Sequence, residues 1–134
     1  GMIDNFNRQV SSIYTIAVCG NTLLAGTEDN LFYSTNKGDN WQILETGIFI
    51  PSDVDSDQMI NIKFFQHLYV NDKNILGIFC GGVYVSKDGG KTWETWNNGV
   101  EDENIFSLFI NEKNIFIGTV KGTIWMTDVE ALKE

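Results

Sequence analysis

The chain repeats itself three times, and this repetition limits its fold more than any other property of the sequence. Each unit holds three short runs rich in Ile, Val, Phe, Tyr and Thr, separated by turns of Gly, Asn, Asp and Lys. The units align without internal gaps when Ile13, Phe65 and Ile105 are superimposed, and 70–75 closely matches 110–115. Such runs predict β-strands, and a repeat of roughly 40 residues predicts an all-β protein built from similar antiparallel units.

A turn motif follows the third run of the first two units. The second unit fits the pattern Ser-x-Asp-x-Gly-x-Thr-Trp at every fixed position, and the first unit has Asn in place of both Asp and Thr. The Asp or Asn accepts backbone N–H bonds, the Gly takes a backbone angle that other residues avoid, and the Trp begins a fourth strand with its ring in the core. The motif residues are Ser34, Asn36, Gly38 and Trp41, and then Ser86, Asp88, Gly90, Thr92 and Trp93.

This motif resembles the Asp-box, or BNR, repeat of sialidases, sortilin-type receptors and photosystem II assembly factors. The resemblance implies β-propeller blades of four antiparallel strands, with the box between the third and fourth strands. It covers nearly the whole of a single domain, 1–134, with blade units at about 11–47, 62–99 and 103–128. Because the family's boxes are structural hairpins away from the active site, they indicate a fold and leave the function open.

The third unit departs from the motif, since only Asp128 remains at the matching positions and no fourth strand follows. Asp128 is placed to cap a short helix over 129–133. At the start of the chain, the spacing of Ile3 and Phe6 repeats that of the two fourth strands and predicts an outer strand at about 2–7. We expect this displaced strand to complete the third blade.

Three blades do not close a ring, because propellers have roughly four to eight blades. An open arc would expose apolar faces and a strand edge, which natural proteins avoid. Two arcs related by a two-fold axis would give a six-bladed homodimer, in which Ile3 and Phe6 of each chain complete the third blade of the other by strand exchange. The alternative is that the chain is a fragment of a larger propeller-containing receptor or sensor.

Residues for catalysis are scarce. Sialidases of this superfamily bind a carboxylate with three arginines, whereas Arg8 is the only arginine in this chain. His67, the only histidine, has Ser107 or Cys80 as a formal nucleophile partner, but a histidine within an apolar strand is more often packed or lines a channel. The sequence therefore predicts no catalytic residue, no metal site and no cofactor. It favours a non-catalytic binding or scaffolding module, with a glycan-binding or glycosidase-like propeller as the alternative.

The acidic charge limits the partners. With a formal net charge of −9, the chain repels phosphate backbones, so we expect no nucleic-acid partner. No apolar run is long enough to span a membrane, and we expect no membrane association. There is no basic and then apolar leader at the start, which predicts a cytoplasmic protein if Met2 is the native start and otherwise leaves the location open.

Two acidic links mark a possible ligand face. By analogy with the family, links from a fourth strand to the next first strand lie on the ligand face of the disc. The insertion after the first unit begins like a calcium loop but lacks its Gly and its bidentate Glu, so a solvated acidic loop is expected. An acidic rim suits a basic peptide, a cation or a polar glycan. Its residues are Asp53, Asp55, Asp57, Glu101, Asp102 and Glu103.

Two further tryptophans, Trp96 and Trp125, have the ring chemistry of sugar-stacking platforms. Their places within strands favour packing between blades instead.

Overall fold

A computed structural model describes residues 12–52, 54–55, 57–62, 65–79, 81–96 and 104–133, and these residues form an all-β fold. Every strand pairing is antiparallel. In chain order the strands are β1 (Ile13–Cys19), β2 (Thr22–Thr27), β3 (Leu31–Ser34), β4 (Gln42–Ile43), β5 (Ile48–Pro51), β6 (Met59–Ile62), β7 (His67–Asn71), β8 (Asn74–Phe79), β9 (Gly82–Ser86), β10 (Glu94–Thr95), β11 (Ile105–Ile110), β12 (Asn114–Thr119) and β13 (Ile124–Asp128). A 3-10 helix, Val129–Lys133, follows the last strand.

Each repeat of the sequence forms one sheet, because turns as short as those between its apolar runs join antiparallel neighbours. Sheet 1 has the order β1-β2-β3-β4, sheet 2 has the order β7-β8-β9-β10, and sheet 3 has the order β11-β12-β13. β5 and β6 pair with each other and form the β5–β6 hairpin. Within the described part of the chain, sheet 3 ends at β13, where the other two sheets have a fourth strand.

Two hydrophobic layers hold the sheets together. β1 contacts β7, and β7 contacts β11, so the first strands of the three sheets are neighbours. The layer between sheets 1 and 2 contains the fully buried Leu24, Phe65 and Ile75. The layer between sheets 2 and 3 contains Leu76 and Ile115. Because burial of apolar area is the main favourable term in folding, sheet 2, packed on both faces, is the centre of the arrangement.

The third unit differs from the gapless alignment by one residue. Leu23 pairs with Ser34 in sheet 1, whereas the aligned Ile115 pairs with Thr127 in sheet 3. The turn between β12 and β13 is therefore one residue longer than the turn between β2 and β3. Thr127 takes the place of Ser34, so Asp128 is not the structural counterpart of the motif's Asp or Asn. The expectation that Asp128 is the remnant of the motif is wrong for this reason.

The expected cap after β13 is confirmed. Asp128 Oδ1 accepts the backbone N–H of Glu130 at 2.8 Å, at the start of the 3-10 helix. This satisfies one of the donors that a helix start leaves free. Leu132 in this helix is 1% exposed and packs in the layer between sheets 2 and 3. In place of a motif turn, the end of the third unit thus adds an apolar side chain to the core.

The fourth strands are shorter than the sequence indicates. β4 and β10 have two residues each and begin one residue after Trp41 and Trp93. The predicted outer strand at 2–7, with Ile3 and Phe6, lies outside the described residues, as does Arg8.

Candidate functional site

The turn after β9 is held by the side chains that the motif predicts. Ser86 Oγ donates to Asp88 Oδ1 at 2.8 Å and accepts the N–H of Gly90 at 2.8 Å. Asp88 also accepts from Thr92, with Oδ1 2.9 Å from the backbone N and Oδ2 2.5 Å from Oγ1. Gly90 has a φ of 99°, a backbone angle that side chains disfavour. The indole Nε1 of Trp93 donates to the Gly90 carbonyl at 2.9 Å and closes the turn.

The turn after β3 repeats this network with an amide in place of the carboxylate. Ser34 Oγ donates to Asn36 Oδ1 at 2.9 Å and accepts the N–H of Gly38, which has a φ of 92°, also at 2.9 Å. Asn36 Oδ1 accepts the N–H of Asn40 at 2.9 Å. The indole of Trp41 donates to the Gly38 carbonyl at 3.0 Å. Both turns are therefore built for structure, since their polar atoms bond to one another.

The motif tryptophans cover the turns more than they fill the core. Both are half-buried, and each ring packs at the edge of a hydrophobic cluster. Trp41 lies against Ala25 and Phe32, and Trp93 lies against Phe65. The expectation that the rings are wholly in the core is therefore too strong, because each indole N–H must stay close to its turn carbonyl.

Asp88 places a carboxylate at the motif position where the turn after β3 has the amide of Asn36. Desolvation acts to raise its pKa, but hydrogen bonds from the side chain and backbone of Thr92, the side chain of Ser86 and the backbone of Lys91 outweigh it. The pKa is lowered to about 2. Each of these donors stabilises the charged form, so Asp88 is a fixed anion near neutral pH. It is occupied by the turn and has little capacity left for chemistry.

A cleft of about 600 Å³ lies where the first strands of the three sheets approach one another. Its walls combine aromatic, amide and imidazole groups with aliphatic side chains and one glycine. They are Tyr14, Gln66, His67, Ile78, Gly81, Asn104, Ile105, Phe106 and Val120. His67 is the one polar residue of this cleft that stands out in the sequence, because Tyr14, Gln66 and Asn104 belong to no motif and meet only in the fold.

His67 is exposed at the start of β7, and its ring centroid lies 6.4 Å from that of Tyr69. Ser107 is exposed on β11, with Oγ in the space beside Gly118. Cys80 lies outside the described residues. His67 therefore lines the cleft, as one of the two roles expected for it.

The insertion after sheet 1 is a hairpin, and the expected solvated acidic loop is its exposed tip, which carries Asp55 and Asp57. β5 and β6 pair from Ile48 with Ile62 to Pro51 with Met59. At the tip, the N–H of Asp57 donates to Asp55 Oδ1 at 3.1 Å, and both residues are exposed. The sequence did not predict β5 and β6, the two strands that flank this acidic tip.

The other members of the predicted acidic rim, Asp53, Glu101, Asp102 and Glu103, lie outside the described residues. Within the described part of the chain, no group of three or more His, Cys, Asp and Glu is close enough to hold a metal ion. No helix in that part is both long and apolar enough to cross a bilayer.

Trp96 and Trp125 differ in their surroundings. Trp96 is 9% exposed in the layer between sheets 2 and 3, which confirms the packing interpretation for this residue. Trp125 is 40% exposed on β13, so packing between sheets does not bury it.

The outer face of sheet 1 is partly uncovered. Ile13, Phe65 and Ile105 hold equivalent positions in the repeat, but Phe65 and Ile105 are 0% and 5% exposed while Ile13 is 47% exposed. Further along β1, Ala17 packs toward sheet 2, whereas its neighbour Ile16 points away from sheet 2 and is 63% exposed. Sheet 1 is therefore open along β1 only, because Ala25 and Phe32, which continue the row of Ile16 across β2 and β3, are fully buried.

The outer face of sheet 3 is exposed as well. Phe109, Phe116 and Met126 are partners across the three strands and share this face. Phe109 is 61% and Met126 is 64% exposed, whereas Leu108 points into the layer with sheet 2 and is buried. Exposed apolar side chains thus lie on the outer face of sheet 3 and, on the opposite side of the stack, along β1 of sheet 1.

No protein-family model and no curated protein matches the chain. Solved structures do match. YCF48 from Cyanidioschyzon merolae is 14% identical with a TM-score of 0.60, over 87% of this chain and 34% of that chain. PorZ, described as an essential bacterial surface component of the type-IX secretion system of Porphyromonas gingivalis, is 14% identical with a TM-score of 0.58, over 91% of this chain and 18% of that chain. The chain therefore spans about a third of the first structure and under a fifth of the second. Both neighbours are β-propeller proteins, so the chain has a β-propeller fold.

Proposed function

We propose that the chain is a non-catalytic binding or scaffolding module of three propeller blades, and that a second copy completes its ring. The observation that carries this proposal is the apolar surface left exposed along β1 of sheet 1 and on the outer face of sheet 3. Each sheet would be one blade. Natural proteins rarely leave large apolar surfaces open, so a partner that covers both faces is favoured.

The repeat explains why the partner is a second copy. One face of sheet 1 packs on sheet 2, and the equivalent face of sheet 2 packs on sheet 3. The outer face of sheet 3 is equivalent to the faces with which sheets 1 and 2 contact the next sheet. It therefore suits the outer face of sheet 1 in another molecule. Two such contacts related by a two-fold axis close a ring of six blades.

The open edge of β13 supports strand exchange. Sheets 1 and 2 have β4 and β10 at this position, and the described part of sheet 3 has none. Unpaired backbone groups at an edge accept an added strand. We assign this place to the segment containing Ile3 and Phe6 of the second copy.

We also infer that the two equivalent turns are Asp-boxes of the BNR type. Support comes from their matched side-chain networks and from the tryptophan that closes each one. Their internal hydrogen bonding favours a structural role for the motif residues and leaves ligand binding to other surfaces.

The candidate ligand surfaces are the cleft and the acidic hairpin tip. The cleft offers Tyr14, His67 and Asn104, which suit a peptide or a polar glycan. The exposed Asp55 and Asp57 suit a basic peptide or a cation. Nucleic acid remains outside the proposed partners because of the net charge of −9. PorZ serves as a surface component of a secretion system, and a structural role of that general kind is what we propose here.

Size-exclusion chromatography with light scattering tests the proposal directly. We expect a species of twice the 15.1 kDa chain mass at micromolar concentration. A stable monomer would contradict ring closure. It would instead favour the alternative in which the chain is part of a longer propeller, which its limited share of both solved structures also supports.

A second measurement addresses the glycan-binding alternative, which the aromatic and amide groups of the cleft favour. A glycan array and an assay on aryl glycosides are the probes. Turnover of a glycoside that is lost in His67→Ala would overturn the non-catalytic assignment, and glycan binding without turnover would keep it.

A further inference from the structure

The outer face of the β5–β6 hairpin is an exposed apolar surface. Side chains alternate along the two strands, so Ile48 and Ile62 point inward, are 8% and 0% exposed, and join the layer between sheets 1 and 2. Phe49 and Met59 point outward and are 57% and 56% exposed. Two large apolar side chains on one face of a small hairpin mark a surface that is stabilised when a partner covers it.

The hairpin is fixed at both ends. At its base, the buried Thr46 hydroxyl donates to the Ile62 carbonyl and accepts the N–H of Ile48 at 3.2 Å. At its tip, the N–H of Ser52 donates to the Gln58 carbonyl at 2.9 Å. The outer face is therefore held in one orientation, which lowers the entropic cost of binding to it.

Ring closure does not cover this face. A second copy would cover the outer faces of sheets 1 and 3, whereas the hairpin packs by its inner face on the layer between sheets 1 and 2. Phe49 and Met59 would therefore stay exposed in the closed dimer, once in each copy. This surface is therefore open to a different partner.

Charge at the tip defines the chemistry of that partner. Asp55 and Asp57 are exposed there, next to Val54, which is 96% exposed. The whole chain carries a net charge of −9. Carboxylates beside an apolar surface attract a segment that has both apolar and basic side chains, and they repel an anionic membrane.

The strand edges favour an extended partner. Within the described residues, β5 and β6 pair with each other alone, so each has an edge with unpaired backbone groups. An added strand is a common way for a peptide to bind such an edge.

We propose that the outer face of the β5–β6 hairpin binds an extended segment of another protein that has alternating apolar residues and a basic end. The apolar side chains cover Phe49 and Met59, and the basic end lies at Asp55 and Asp57. This inference rests on the proposed binding function and names the class of partner for it.

Fluorescence anisotropy with a defined peptide tests the site. The probe is a short labelled serine-valine repeat with a pair of lysines at one end. We expect wild-type protein to bind it and the double variant Phe49→Ser with Met59→Ser to bind at least about tenfold more weakly, the size of effect typical of a binding hot spot. Asp55→Asn with Asp57→Asn should weaken binding and reduce its salt dependence. Glu112→Gln, which removes an exposed carboxylate from the turn between β11 and β12, is the matched control for charge and should bind as wild type does.

Each other outcome overturns the inference in a recognisable way. Equal binding of a probe with serine in place of every valine would show attraction by charge alone. Loss of binding in Val120→Ser, which alters the cleft, and not in Phe49→Ser would move the site to the cleft. Sedimentation with neutral vesicles that depends on Phe49 would identify a lipid-binding surface. A change of oligomeric mass in the double variant would show that the hairpin contacts a second copy. Because mass and peptide affinity are separate measurements, failure here leaves the test of ring closure intact.

Discussion

The ring of Trp93 packs on the ring of Phe65, with centroids 4.6 Å apart and planes inclined by 35°. Phe65 is fully buried between sheets 1 and 2, while Trp93 closes the turn after β9. One aromatic contact thus joins the Asp88 turn to the layer that holds two sheets together. Contacts of this kind are worth about 0.5–1.5 kcal/mol beyond the area that they bury.

Replacing Phe65 with alanine should destabilise the protein strongly. Removal of a fully buried phenylalanine leaves a cavity between sheets 1 and 2, and such changes cost about 3–5 kcal/mol. Urea denaturation measures this as a lower midpoint with an unchanged slope. Phe106→Ala is the matched control because Phe106 is 71% exposed, and we expect it to cost under about 0.5 kcal/mol. Similar losses in both variants would show that Phe65 is not a core residue.

Two glycines should respond differently to an added methyl group. A Cβ at Gly77 would lie 2.5–2.8 Å from ring carbons of Phe65, and that ring is enclosed by the core and has little room to move. A Cβ at Gly118 would lie 2.7 Å from Ser107 Oγ, which is exposed and can rotate away. We expect Gly77→Ala to cost about 1–3 kcal/mol and Gly118→Ala under about 1 kcal/mol. Thermal unfolding of both variants gives the comparison, and the reverse order would contradict the packing around Phe65.

The sequence was sufficient for the three sheets and insufficient for their details. Runs such as 22–27 carry enough β-forming residues, between clear turn residues, to be recognised alone. The extra residue in the turn before β13 leaves no such sign, because 124–126 are all apolar and therefore fit the sheet in either register. Only the pairing of Ile115 with Thr127 decides between them.

The hairpin was missed for a different reason. β5 and β6 have four residues each, and a strand that short gives a weak periodic signal. Asp55 and Asp57 dominated the interpretation, whereas Phe49 and Met59 acquire meaning once pairing places them on one face. The cleft was beyond prediction since its residues come together through the stacking of sheets, which one sequence does not specify.

Stability should depend on Asp88 at low pH. Its pKa in the folded protein is about 2, below the value of an unfolded aspartate, so its contribution is complete above about pH 4 and is lost as the pH falls through 2. The carboxylate is exposed and screened by solvent, so we expect a contribution of under about 1 kcal/mol. Denaturation at about pH 2, 3, 4 and 6 measures this contribution as the difference in free energy of unfolding between wild type and Asp88→Asn.

The Asn36 turn supplies the control for this experiment. An amide already holds the equivalent turn after β3, so Asp88→Asn should fold. The wild-type advantage should shrink as the pH falls from about 4 to 2. An advantage that stays constant over this range would show that the Asp88 charge adds nothing to the turn.

Ring closure predicts a specific pattern of charge variants. Ile16→Lys places a charge on the outer face of sheet 1, and Met126→Glu places one on the outer face of sheet 3, where the two residues are 63% and 64% exposed. Each variant alone damages both contacts of a two-fold dimer by burying an unpaired charge. A cost of about 3 kcal/mol corresponds to a rise in the dissociation constant of roughly a hundredfold. Val54→Lys, at the hairpin tip, should leave the dimer unchanged.

An equal mixture of the two variants separates head-to-tail closure from other dimers. In a mixed ring, one contact pairs the sheet 1 face altered by Ile16→Lys with the sheet 3 face altered by Met126→Glu, and the other contact is wild type. The introduced lysine and glutamate then neutralise each other, so the mixture should regain the dimer that each variant has lost, as measured by light scattering. If sheet 1 instead packed on sheet 1 of its partner, Met126→Glu alone would leave the dimer intact. Mixing would then fail to rescue Ile16→Lys, because every contact made by that variant would still bury its lysine.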